Sequence, residues 1–352
     1  MIDEPLTESA IDSPFACPEC RLALRFEDAL RCPRCGQRYL DADGVACFSP
    51  TGLYHGPILP PPEMEAFLAL ARAQGYRAAI SDLAGKDPDL VRYISSSSRT
   101  GGLRLIELQG HERVLDFGCA FGVLALALVP LAALVVALDV TREKIAFLDI
   151  VKQQDRLETF FPVCNGDPLR LPFPNKYFDW VILNAVFEYL PQSIGVEDVR
   201  AAHLLALREV HRVIAPGGRL YLATKNRYSY RLWLGDLDHN GLRFTSLLPR
   251  PLAESITVKR TGRHYRTITH SFGEYRRLLG DAGFRTSTFY CPFPSLQYPE
   301  RFMRLTASRR ELLTSLSEVK PAGSRARVLW RLAARSGLLP LLLPQFTIVA
   351  QK

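Results

Sequence analysis

Two sets of side chains in this sequence are spaced for chemistry. The first is a quartet of thiols. Cys17-Pro18-Glu19-Cys20 and Cys32-Pro33-Arg34-Cys35 form two C-x-x-C pairs with eleven residues between them. Each pair can grip one ion from a tight knuckle, and four thiolates complete a tetrahedral shell. With every position filled by sulfur the ion is structural rather than catalytic, and zinc is the expected metal. Disulfides are the rival use of the same thiols, and a reducing compartment disfavours them.

The second set begins at Val114-Leu115-Asp116-Phe117-Gly118-Cys119-Ala120-Phe121-Gly122. An apolar strand runs into a glycine-spaced turn, and the apolar run from Val123 starts a helix. Gly118 and Gly122 let the backbone bend sharply and approach a ligand closely. The free N–H groups of the helix start can meet a ligand carboxylate. The pattern is Asp-x-Gly-x-x-x-Gly, not the G-x-G-x-x-G of a dinucleotide site. Asp139 ends the apolar run 134–138, where a carboxylate can hold two ribose hydroxyls. Asp167 follows in Gly166-Asp167-Pro168, and Asn184 ends the apolar run after Phe178.

Positioning these groups requires alternating strands and helices. Strands are predicted over 113–117, 134–138, 161–164, 180–183, 219–224, 286–290 and 346–350. Helices are predicted over 63–83, 124–129, 141–154, 199–213 and 272–282. Such alternation predicts an α/β, doubly wound, mostly parallel sheet covered on both faces. Residues 1–49 form the thiol-bearing module, with a hairpin turn at Asp43-Gly44. Residues 50–94 form a linker, with Pro60-Pro61-Pro62, followed by a helical segment. The main domain spans 95–352, with a cap insertion at about 225–270 and a helical insertion at about 292–340. The run Ser95-Ser96-Ser97-Ser98 and its glycines read as a mobile cover or a plain linker.

In this order and spacing the marks resemble the class I S-adenosylmethionine-dependent methyltransferases, over roughly residues 95 to 225. The resemblance implies a Rossmann-like, seven-stranded sheet whose last strand is antiparallel, preceded here by a small zinc ribbon. It implies a methionine end of the cofactor along Asp116, Gly118, Cys119 and Gly122, ribose hydroxyls on Asp139, and adenine by Asp167. Asn184 is then expected where cofactor and acceptor meet. Asn184-Ala185-Val186-Phe187 departs from the Asn/Asp-Pro-Pro-Tyr/Phe pattern of amino-group methylases. Glu188-Tyr189 stands where many small-molecule members have Glu-His. The base, if one is used, is therefore sought in the cap, with His239 beside Asp238 first and His270 second. His203 and His211 are read as structural. The cap wording, from Asn226-Arg227-Tyr228 to Ala282-Gly283-Phe284, resembles bacterial methyltransferases of polysaccharide or natural-product assembly. That points to oxygen on a small-molecule or glycan acceptor.

Charge is divided unevenly. Residues 219–352 hold 23 Lys and Arg against 8 Asp and Glu, a net of +15, whereas the whole chain is +8. The basic half suits an anionic acceptor, and the acidic half a cationic sulfonium. Ribosomal RNA base methylation is the alternative reading, because a family of ribosomal RNA guanine methyltransferases also places a zinc module ahead of its core. That module has three Cys and a His, unlike the four Cys here. A non-catalytic interaction module is the second alternative. Val123 to Leu138 is apolar but broken by Pro130, short of the roughly 20 residues that span a bilayer. With no leader visible, a cytoplasmic protein is expected. Arg325 to Arg335 reads either as a packed helix or as a basic amphipathic helix in peripheral contact with an anionic membrane. The sequence does not specify an oligomeric state.

Overall fold

The computed structural model describes residues 13–26, 29–49, 56, 58–194, 198–305, 308–318 and 324–352. Much of the linker expected over 50–62 lies outside them.

The apolar runs form strands of one sheet. They are β1 (Cys47–Ser49), β2 (Arg113–Phe117), β3 (Leu134–Asp139), β4 (Phe160–Asn165), β5 (Phe178–Asn184), β6 (Ile214–Lys225), β7 (Thr286–Pro294), β8 (Pro299–Arg304) and β9 (Gln345–Gln351). Their spatial order is β1-β4-β3-β2-β5-β6-β9-β7-β8. The pairs from β1 to β6 are parallel, and β9 runs antiparallel to both β6 and β7. The predicted seven strands and the antiparallel last strand are present. The described sheet has nine strands because β1 and β8 extend its two edges.

Side chains alternate across the sheet with the period of two that pleating imposes. Leu115, Phe117, Val136, Leu138, Val181 and Leu183 enter one core with Ala202, Leu207 and Val210 of the Val199–Val213 helix. Val114, Val135, Ala137, Trp180 and Ile182 enter the other, with Met64, Phe67, Ala125 and Leu148. Both faces are therefore covered, as buried parallel strands require.

The thiol-bearing module is fastened to this sheet. Its Cys47 stands opposite Cys164 of β4 in register, and Cys164 N–H donates to Ala46 O at 2.8 Å. Phe15 stacks on Phe173 and meets Phe161 edge-on, with ring centroids 6.1 and 6.4 Å apart.

The helix predicted over 63–83 divides at Gly75 into Pro61–Gln74 and Tyr76–Ala84, with Gly75 at φ +100°. The serine-rich stretch is helical. It forms the Pro88–Ser95 helix, capped by the Asp87 side chain, and a 3-10 turn over Ser97–Leu105. A side-chain carbon on Gly101 would lie 1.8 Å from Pro299 O, so this turn sits directly on β8. The cap contains the helices Tyr230–Trp233 and Arg250–Thr261, and an Asn226–His270 bridge closes its base. The later insertion contains β8 and the helices Arg309–Glu318, Ser324–Ser336 and Leu339–Leu342. Trp330, Ala333 and Ala334 bury one face of Ser324–Ser336.

Candidate functional site

A cleft of about 500 Å³ opens at the carboxyl ends of the parallel strands. The chain runs outward from β2 through β3 to β4 on one side, and through β5 to β6 on the other. That reversal of strand order is where open α/β sheets bind ligands. Asp116, Asp139, Asn165, Asn184 and Lys225, near or at the ends of five successive strands in space, all line it.

The loop after β2 is built around glycine. Gly118 and Gly122 have φ of +82° and +77°. A side-chain carbon at Gly118 would approach Val186 Cγ2 to 2.3 Å, and one at Gly122 would approach Leu148 Cδ2 to 2.5 Å. Gly118 and Cys119 both donate their N–H to Leu138 O, and Ala120 N–H donates to Asp139 Oδ2 at 2.9 Å. Asp139 Oδ1 also accepts from Thr141 N–H. Asp139 is thus a loop clamp and a cleft-lining carboxylate together, since each oxygen has lone pairs for more than one donor.

Three of the cleft's buried oxygens have no hydrogen-bond partner: Asp116 Oδ2, Asn165 Oδ1 and Asn184 Oδ1. All three are acceptors. Burial and the nearby Asp139 charge raise the Asp116 carboxyl to about 7, against the opposing pull of Ala125 N–H and Arg99. A buried acceptor without a donor is costly, so the cleft suits a ligand rich in N–H groups and positive charge. The amine, adenine amino group and sulfonium of S-adenosylmethionine fit that demand.

Of the sequence-predicted set, Asp116, Gly118, Cys119, Asp139 and Asn184 line the cleft. Gly122 lies just behind it as the left-handed residue that opens the Val123–Leu128 helix. Asp167 is not among the lining residues. Its carboxylate accepts from Leu169 N–H and lies 3.8 Å from Arg170, while Asn165, Gly166 and Pro168 face the cleft.

The two histidines fare differently. His270 is fully buried away from the cleft, which corrects its reading as a base. Phe187 O takes the Nε2–H of His203 at 2.9 Å, so His203 Nδ1 must accept. It takes His270 Nε2–H at 2.9 Å, and His270 Nδ1 accepts from Arg250 Nη2 at 3.1 Å. Both rings are therefore neutral, burial holding His203 down to about 3 and His270 well below its ordinary value. His239 stands behind Tyr189, its Nδ1 3.3 Å from Tyr189 Oη, and burial with the Lys225 charge lowers it to about 4. Asp238 does not orient that ring. Its carboxylate accepts from Thr245, Ser246 and Tyr265 and from the His239 backbone N–H.

Glu188 lines the cleft instead, 1% exposed, with Thr224 Oγ1 donating to it at 3.2 Å. Burial raises its carboxyl, opposed by its own N–H, Lys225 and Thr224. In the sequence it is marked only as the acidic member of Glu188-Tyr189. Asn165 was not foreseen either, nor were Tyr93, Arg99 and Arg231, which line the cleft with Lys225. The Arg99 guanidinium lies 3.7 Å from the Tyr93 ring centroid.

The second constellation is intact. The ligand atoms of Cys17, Cys20, Cys32 and Cys35 lie within 4.8 Å of one another, and the Cys17 and Cys35 sulfurs are 3.8 Å apart. A tetrahedron with metal–sulfur bonds of about 2.3 Å has edges of about 3.8 Å. Cys20 N–H and Tyr39 Oη both approach Cys17 Sγ, at 3.3 and 3.1 Å. Burial and the neighbouring thiols push Cys20 up to about 12. Cys32 feels burial too, yet the N–H groups of Cys35 and Arg34 outweigh it and bring the thiol down to about 6. Four thiolates crowded this closely need a cation, and the set fits a structural metal.

Comparison with known proteins agrees with the cleft. Residues 115–222 match a family described as "Methyltransferase domain", which bears out the class I S-adenosylmethionine-dependent methyltransferase resemblance. A ubiquinone biosynthesis O-methyltransferase from Xanthomonas campestris pv. campestris is 28% identical over 115 residues, 33% of this chain and 44% of that protein. This chain spans less than half the length of such curated relatives. Among solved structures, the YcgJ protein from Bacillus subtilis is 19% identical with a TM-score of 0.40, covering 73% of this chain and 99% of that one. Phosphoethanolamine N-methyltransferase 2 from Haemonchus contortus is 13% identical with a TM-score of 0.44, covering 85% and 61%.

Proposed function

We propose that the cleft binds S-adenosylmethionine and that the protein transfers its methyl group to an oxygen of a small-molecule or glycan acceptor. The observation that carries this reading is the trio of partnerless buried acceptors, Asp116, Asn165 and Asn184, at the strand tips. Asp116 and Asn184 would hold the methionine end, Asp139 the ribose hydroxyls, and Asn165 the adenine end, a role first expected of Asp167. When bound, the sulfonium supplies a methyl group already activated for in-line displacement. The protein's task is then alignment and exclusion of water. Glu188 would accept the proton that a hydroxyl acceptor must lose, with Thr224 holding the carboxylate in place. Arg99, Lys225 and Arg231 would draw in an acceptor that carries negative charge. His239 would act through Tyr189 as a positioning residue. Oxygen as the acceptor atom is supported by the O-methyltransferase names of the curated relatives. The four thiols would hold a structural zinc ion.

The test is incubation with methyl-labelled S-adenosylmethionine and fractionated cell extract, with cofactor binding measured by calorimetry. Label in small metabolites or glycan, stable to alkali as an ether, is the expected outcome. Label in RNA would replace this acceptor class with the RNA alternative, and absence of cofactor binding would overturn the enzymatic reading.

A further inference from the structure

Among the described residues, thirteen large apolar side chains stand exposed, and ten of them lie between 233 and 341. Scattered exposed leucines need no explanation, but a concentration on the cap and the C-terminal helices does. Trp233 and Leu234 end the first cap helix, 59% and 77% exposed. Leu237 bridges to Arg243 beside Phe244, so these side chains share one loop cluster. On Ser324–Ser336 the side opposite the buried Trp330, Ala333 and Ala334 presents Val328 and Leu332, one helical turn apart. The two elements touch. The Tyr230 and Trp330 rings lie 5.6 Å apart, and the Asn226 amide at the cap's root donates to Leu341 O.

Positive charge is interleaved with this apolar surface. Arg243, Arg331 and Arg335 are exposed on the same elements, and Arg231, also exposed, pairs with Asp236 at 2.8 Å. Arg231 also lines the cleft, so the surface adjoins the cleft's mouth. Apolar side chains ringed by arginine, with a tryptophan at the rim, match the interfacial zone of an anionic bilayer.

We propose that the cap and the C-terminal helices dock on an anionic phospholipid bilayer. The further conclusion that the acceptor is carried in or on that bilayer rests on the methyl-transfer reading above; the docking itself does not. The surface inserts Trp233 and Leu234 among the acyl chains near the headgroups, and the arginines neutralise lipid phosphates.

The full chain carries its own probe. Trp180 and Trp330 are each 3% exposed, so a change in tryptophan emission on docking reports Trp233. Vesicles of phosphatidylcholine with phosphatidylglycerol should retain the protein on flotation, shift its emission to shorter wavelength and lose retention at high salt. Brominated lipids should quench that emission. Pure phosphatidylcholine vesicles should retain at least tenfold less. Leu234→Glu and, separately, Leu332→Glu should each lower retention at least fivefold while cofactor titration by calorimetry stays unchanged. Equal retention by both vesicle types, or by neither, overturns the proposal. So does a dimer on sedimentation in which Trp233 is already shielded. Vesicle retention without cofactor binding would uphold the docking surface and remove the methyl-transfer reading.

Discussion

Asp116 carries the clearest pH signature in the molecule. In an unfolded chain its carboxyl would titrate at about 4, and burial in the folded protein raises it to about 7. Its contribution to stability is therefore complete below the unfolded value and is lost as pH rises through 7. Cofactor binding runs the other way, because the ionised form is the one that meets a cation. Affinity should climb between pH 6 and 8, by up to about tenfold per unit on the acid side, in calorimetric titrations. Asp116→Asn should flatten that dependence as well as the fall in melting temperature of the free protein between about pH 4 and 7. Under the proposed reading Glu188 serves the acceptor. Glu188→Gln should lower kcat by about 10² to 10⁴ with cofactor affinity little changed, and the wild-type rate should rise with pH as the raised carboxyl ionises. A Glu188→Gln enzyme at full rate would remove this residue as the base. The acidic strand tips were legible in the sequence because each follows its own apolar run. Arg99 and Arg231 were not, because the cleft gathers them from segments far apart in the chain, and Glu188, four residues past Asn184, carries no local sign of its burial. His270 stood second to His239 as a candidate, since nothing local announces that a histidine will be spent on Arg250 and a second histidine.

At the scale of elements, the β2 loop concentrates the constraint. Gly118 has a left-handed backbone and no space for a side-chain carbon beside Val186. Gly118→Ala should lose at least about 1–2 kcal/mol from the backbone alone, read as a lower urea midpoint, together with cofactor affinity. Pairing it with Val186→Ala should relieve the contact and leave the backbone cost. Recovery of the whole loss by the pair would show that φ is unimportant here. The five central parallel strands, β2 to β6, could be read from the sequence because buried parallel strands are continuous apolar runs. The edge strands could not. β1 has three residues, and β8, Pro-Glu-Arg-Phe-Met-Arg, mixes charge with apolar residues because only one neighbour pairs with it. The serine run misled for a related reason. Its polarity suggested a loose cover, but its glycines serve close packing on β8, and its neighbours Tyr93 and Arg99 wall the cleft.

For the whole molecule, the division of charge seen in the sequence has a spatial counterpart. Asp116 and Asp139 line the cleft from the acidic part of the chain, together with Arg99 and Lys144, whereas Lys225 and Arg231 come from the basic part. No helix among the described residues is long and apolar enough to cross a membrane. The thiol module is part of the main body, its Phe15 buried against Phe161 and Phe173. Chelation should release one zinc ion per chain, and hydrogen exchange should then quicken both in residues 13–49 and in β4. Acceleration confined to the module would show that the two are energetically separate.

The pairing of β1 with β4 has a further consequence. With Cys47–Ser49 in place, the row of polar backbone groups at the Cys164–Asn165 end of β4 is occupied by the protein's own chain. If that short strand lifts away, the row becomes an adhesive template for strands from other molecules. A metal-starved population should then cluster before it unfolds, so the four thiols guard the protein's solubility as much as its shape.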